Sequence, residues 1–224
     1  MSNNIQIAVK SIHCDDDTDE ATDDEPFVVV FAVDITPLAA GVPVTLPKAA
    51  VTVTGPWSEG DDPPDHGTVK LPPLSAGQTE NSLDAIPVVW RKHCWGLVNG
   101  EGAPIEDPDN VILLVSLLER DDGSNSDWRG SFEAAMTGDL AAAVNNGGSR
   151  SDLVATLKDR FNANVNTVRK IGFPNRDDQI GLSKELRLDN DDLKAARKGT
   201  TTKSLRFQGD GGADYTVNFE LTSS

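Results

Sequence analysis

Two acidic side chains that could share one bound ion or one proton stand at the end of the most apolar run in the chain. Val111-Ile112-Leu113-Leu114-Val115-Ser116-Leu117-Leu118 runs into Glu119-Arg120-Asp121-Asp122-Gly123. The run is rich in branched residues and reads as a strand buried on both faces. Side chains alternate along an extended backbone, so Glu119 and Asp121 point the same way at its exit. A pair of carboxylates aimed together binds a hard cation, shares a proton, or tolerates its own repulsion in water.

Other acids must decide between these chemistries. Asp15, Asp16, Asp17, Asp19, Glu20, Asp23, Asp24 and Glu25 crowd one short segment, and Asp177-Asp178 follow much later. Calcium gathers about six to eight oxygens, which calls for loops that converge. Asp15, Asp17 and Asp19 have the opening spacing of an EF-hand loop, but the glycine that loop needs is Glu20 and its closing glutamate is Pro26. The flanks also read as strands. A zinc site from His13, Cys14, His93 and Cys94 fails because neighbours on a strand face opposite ways. The chain carries no phosphate-cradling glycine loop, no nucleophile elbow and no paired metal-binding histidines.

The whole composition agrees with a partner that is cationic. The chain has 224 residues, with 36 Asp+Glu against 20 Lys+Arg and a formal charge of −16. That balance excludes a nucleic-acid binder that works through phosphate contacts, and leaves cations, basic partners or a merely solubilising surface. Two cysteines, Cys14 and Cys94, make no disulfide framework, although one bridge between them is open. No apolar signal region opens the chain and no apolar run reaches membrane-spanning length. The expectation is a soluble protein, cytoplasmic or released without a signal peptide.

The elements that would position these acids read as follows. Ile5–Val9 and Phe27–Val33 are strands, and the first acid segment joins them. Pieces at Ala50–Thr54, Thr68–Leu71 and Ile86–Trp90 are strand-like within a stretch rich in proline and glycine. Trp128, Phe132, Ala135, Met136, Leu140 and Ala143 recur at helical spacing, up to Asn145-Asn146-Gly147-Gly148. Ser149 and Asp152 then cap a second helix striped by Leu153, Val154, Leu157, Phe161, Val165, Val168 and Ile171 and ended by Gly172 with Pro174. Strand character returns at Ser183–Leu188, a short helix spans Asn190–Lys198, and Leu205–Phe207 and Tyr215–Leu221 flank a glycine-rich turn. The fold class expected is mainly β with an α insertion: an antiparallel β-sandwich with an inserted αα-hairpin.

Three acid patterns in their order resemble the calcium-dependent phospholipid-binding C2 domain of the protein kinase C and synaptotagmin kind. Asp19 with Glu25-Pro26-Phe27-Val28 is similar to that family's first calcium loop, with glutamate in place of its second aspartate. Glu119-x-Asp121 resembles the acid pair of the third loop, and Asp178-Gln179-Ile180-Gly181 its exit. In the family only a few residues separate those two parts, whereas a helical hairpin intervenes here. Bacterial proteins with no assigned activity are similar in the same acid patterns. The resemblance implies a C2-like β-sandwich from 1–125 and 175–224, interrupted by a helical-hairpin insertion over 126–174. It implies Ca2+ held by Asp19, Glu25, Glu119, Asp121 and Asp178, with Asp17, Asp24, Asp122 and Asp177 as further candidates.

The function expected is a binding module without catalysis, attaching to an anionic phospholipid membrane or a protein partner when calcium neutralises the acidic end. Lys194, Arg197, Lys198 and Trp128 are the expected contacts, while Lys203 and Arg206 complete the same basic cluster. Two other classes stand beside it. One is a structural or assembly protein whose calcium only locks its loops or whose acids only keep it dissolved. The other is a hydrolase using a carboxylate pair, which needs an apolar pocket to hold one proton.

Overall fold

The computed structural model describes residues 5–16, 26–36, 48–54, 79–80, 95–96, 107–119, 128–168, 178–209 and 212–223. Among them the chain is mainly β, with two antiparallel sheets and three α-helices. The first sheet is built on β1 (Ile5–Asp16), β9 (Thr200–Gln208) and β10 (Asp214–Ser223) in the order β1-β10-β9. The second is built on β2 (Pro26–Asp34), β3 (Lys48–Thr54) and β6 (Val111–Glu119) in the order β3-β2-β6. Two-residue strands finish the edges. β4 (Thr79–Glu80) and β5 (Trp95–Gly96) pair with β1, and β7 (Asp178–Gln179) and β8 (Lys184–Glu185) pair with β6.

The apolar run of β6 is explained by burial on both of its faces. Val111, Leu113, Val115 and Leu117 join Val28 and Val30 of β2 in one cluster with Ile5, Ile7, Ile12, Phe207, Tyr215, Val217, Phe219 and Leu221 of the first sheet. Ile112, Leu114 and Leu118 join Phe27, Val29, Phe31 and Val33 in a second cluster on the opposite face. There the cover is α1 (Trp128–Asn145) and α2 (Arg150–Val168), through Phe132, Met136, Leu140, Val154, Leu157, Phe161 and Val165. The two helices touch through Phe132 and Phe161, whose tilted rings lie 5.1 Å apart, and through Asn164, which donates to Asp139 at 2.8 Å. The helices therefore belong to the core in packing, whatever their place in chain order.

Ends are set locally. Pro108–Asn110 forms a single 3-10 turn into β6, with Asp107 Oδ1 accepting from the Asp109 amide at 2.9 Å. Arg150, at the start of α2, donates to the carbonyls of Asp109 and Val111 and to Glu185 at 2.6 Å, tying helix, strand and β8 together. The third helix, α3 (Asn190–Lys198), opens on a capping box between Asp189 and Asp192 and closes at Gly199. Its Leu193 and Ala196 sit in the cluster between the sheets.

Most expected elements are present, several with longer bounds. The pieces expected at Thr68–Leu71 and Ile86–Trp90 lie outside the described residues, as do the boundaries 125/126 and 174/175 of the expected insertion. Ser183–Leu188 forms a ladder only at Lys184–Glu185, extended by the Leu186 amide donating to the Leu113 carbonyl at 2.8 Å, and Leu186 and Leu188 are buried. Because Phe161 is fully buried between helix and sheet, Phe161→Ala costs about 3–5 kcal/mol in urea denaturation. A loss under about 1 kcal/mol would show that the helices carry no share of the core.

Candidate functional site at the acidic strand ends

Register decides which acids can meet. Pro26, the residue after Glu25, pairs with Glu119, and Glu119 pairs on its other side with Asp178. Neighbouring strands are spaced by about 4.8 Å, so the three acid-bearing segments leave the sheet within about 10 Å of one another. Proline suits this first position of β2, where a missing N–H costs least.

The first sheet ends at the same place. Gly181 lies three residues after Asp178, with a φ of 69°, and a Cβ there would stand 2.5 Å from the Gln208 carbonyl oxygen. Only glycine allows that approach. It brings the exit of β7 against the end of β9, where Gln208 pairs with Asp214 and Asp214 with Asp16.

Asp214 and Asp15, on this side, already have partners. Arg206 grips both oxygens of Asp214, with Nε donating to Oδ1 at 2.7 Å, and Gln208 Nε2 donates to the same carboxylate at 3.1 Å. That hydrogen bond from Arg206 is the main reason the Asp214 carboxyl titrates below its ordinary value of 3.8, against an opposing effect of burial. Arg206 is pushed up in turn, by the hydrogen bond and charge of Asp214 and more weakly by Asp15. Lys184 donates to the Arg206 carbonyl and lies 5.4 Å above the Phe207 ring. Asp15 pairs with His13 Nε2 at 3.3 Å and accepts from Thr216 Oγ1 at 3.3 Å.

Among the described residues no group of three or more His, Cys, Asp or Glu could hold a metal ion. Asp17, Asp19, Asp24, Glu25, Asp121, Asp122 and Asp177 lie outside the described residues. Glu119, Asp178 and Trp128 are described in their backbones, the last as the first residue of α1. Cys14 is buried in the core and His13 is half-exposed on β1, the opposition of neighbours that disfavours a shared zinc. His93 and Cys94 are outside the described residues.

The basic residues do not gather at this end. Lys198 runs through Gly199 into Thr200, the start of β9, while Asp214 and Asp16 lie at its other end beside Gln208. Eight strand steps separate the two, roughly 26 Å. Lys194 pairs with Asp191 at 3.0 Å, and Lys203 reaches Asp192 at 2.5 Å. Arg206 leaves the cluster altogether for Asp214.

The chain matches no family model, no curated protein and no solved structure. Among the described residues no helix is long and apolar enough to cross a membrane. Asp214 with its partner Arg206 is a pair that sequence reasoning missed here, having placed Arg206 only in the basic cluster; it also missed Lys184, and it named Gly181 only as part of the strand exit. The signal for the first pair was the turn at 208–212, because a hairpin register puts Arg206 diagonal to Asp214.

Two outcomes follow from this geometry. An acid held below its ordinary pKa stabilises the fold above that value and loses the contribution as pH falls through the folded value. Asp214→Asn is therefore less stable than the wild type at pH 7, and the gap in urea midpoint closes as the pH is lowered into the acid range. A gap that stays constant would detach Asp214 from the acid dependence. Gly181→Ala lowers stability by at least the roughly 1–2 kcal/mol of a left-handed non-glycine residue, and an unchanged melting temperature would contradict the close approach to Gln208.

Proposed function

We propose that the chain is a calcium-binding module of C2-like kind: an antiparallel β-sandwich whose α1 and α2 form an αα-hairpin inserted within the third-loop region. The single observation that supports the calcium reading is the row Pro26, Glu119, Asp178 at one sheet end. It roots two acid-rich loops and a third acid segment side by side. The ligands proposed are Asp19, Glu25, Glu119, Asp121 and Asp178, joined by Asp17, Asp24, Asp122 and Asp177 as the ion number requires. These are carboxylates alone, which suits a hard cation with many oxygens and no strict geometry.

Bound calcium would cancel charge at this end of a chain of −16 and leave positions open to phosphate or carboxylate from outside. The activity proposed is calcium-dependent attachment to an anionic membrane or a protein partner, without catalysis. A second reading draws support from the position of α3. Lys194, Arg197 and Lys198 belong to the element that feeds the far end of β9, so a flat surface touching the calcium end would not reach them. In that reading calcium locks the loops of a structural or assembly protein.

Calcium raises the melting temperature relative to chelator, because an ion that binds only the native state adds roughly 2.7 kcal/mol at a hundredfold excess over its Kd. Magnesium does less, since it demands a near-ideal octahedron. Asp121→Asn weakens calcium binding in calorimetric titration and leaves the calcium-free fold intact. Coincident melts with calcium and with chelator would remove the site. Phosphatidylserine vesicles then divide the two readings: binding that needs calcium and fades at high salt supports attachment, and equal low binding despite bound calcium leaves the locked scaffold.

A further inference from the structure

The helix-facing row of β6 is apolar except at one place. Between Leu114 and Leu118 stands Ser116, fully buried, and Ser183 is buried beside it at 1% exposure. A polar group in such a place is retained only with partners, and here one amide supplies them. Gln179 Nε2 lies 3.0 Å from Ser116 Oγ, 3.0 Å from Asn162 Oδ1 and 3.2 Å from Ser183 Oγ. Asn162 Oδ1 also accepts the Ser183 amide at 2.9 Å. Four side chains from α2, β6, β7 and the segment after β7 thus close one network around the two buried serines.

Its position gives it a consequence. β7 is only two residues long, and its ladder to β6 consists of Leu118 with Gln179 and Glu119 with Asp178. The Ile180 amide adds one bond to the Leu117 carbonyl at 2.9 Å. So short a strand has little ladder of its own, and the Gln179 amide adds side-chain bonds that fix its depth and register beside the buried Ile180. Gln179 is the neighbour of Asp178, whose backbone stands opposite Glu119.

We infer that Gln179, held by Asn162 of α2, is a positioning residue for the calcium site: it sets where Asp178 stands beside Glu119 and couples the helix layer to ion affinity. The inference rests on the calcium reading above. The ligand class is the same divalent cation, and what is added is its control by α2. Linkage makes the control mutual, since a helix that tightens the site must itself be tightened by the ion.

The test is a calcium titration of the full-length chain by calorimetry, with circular dichroism confirming the fold of each variant. Gln179→Leu keeps the volume and removes the donor, and Asn162→Ala removes the helix-side acceptor. Each raises the calcium Kd about tenfold, the low end of what outer partners of metal ligands are worth. Leu140→Ala, a core truncation on α1 away from the network, lowers the melting temperature but leaves Kd within about twofold, which a purely structural role for Gln179 would not separate. Should Gln179→Leu fail to fold, Asn162→Ala and Ser116→Ala carry the comparison. Calcium also slows amide exchange along α2 in the wild type, and Asn162→Ala abolishes that slowing. Wild-type affinity in both network variants overturns the inference alone, whereas a wild type that binds no calcium overturns the calcium reading and the inference with it.

Discussion

Everything in this fold depends on the second sheet being dry on both faces. A strand with one wet face alternates apolar and polar residues, but β6 and β2 have no wet face to serve. One face of that sheet meets the first sheet, and the other meets α1 and α2. The constraint explains why the acids are confined to strand ends. With both faces closed, carboxylates reach water only where the strands run out, and the antiparallel register brings three of those exits together.

The few polar groups that do enter the covered face are fully engaged. Ser116, Asn162 and Ser183 all meet the Gln179 amide where β7 lies against α2, so each polar group there has a partner. At the opposite end Arg150 plays a comparable part, closing carbonyls of the 3-10 turn and of β6 while it meets Glu185. The helix pair is thus held at both ends by polar contacts and along its middle by Phe132, Leu157 and Phe161.

Much of this was legible in the sequence, for reasons that differ from element to element. The two-faced strand showed itself because a run without alternation has few other homes, and α3 because Asp189, Asp192 and Gly199 mark both of its ends. Register was not legible. No local pattern says that Pro26 faces Glu119, since that depends on a pairing between strands distant in the chain. The basic residues illustrate the difference. Read along the chain, Lys194, Arg197, Lys198, Lys203 and Arg206 make one cluster, yet in the structure Arg206 belongs to the acidic end and Lys203 to Asp192. The candidate site was legible in its residue types and order, while its assembly depended on pairings that no spacing encodes.

The pairing of Lys203 with Asp192 has a further consequence, for how the molecule keeps to itself. Among the described residues β9 pairs as a strand with β10 alone, so its other side offers backbone groups to an extended chain that comes alongside. Long bare borders of this kind seed fibrils and exchanged strands. In β9 the residues of intermediate or full burial alternate with exposed ones, and Lys203 falls in the inward series with Leu205 and Phe207. An intruding strand would press a neighbour against that ammonium group and its carboxylate, and would have to strip water from both. The pair thus sets a charge in the inward series of a border strand, one of the ways in which sheet edges discourage pairing with another chain.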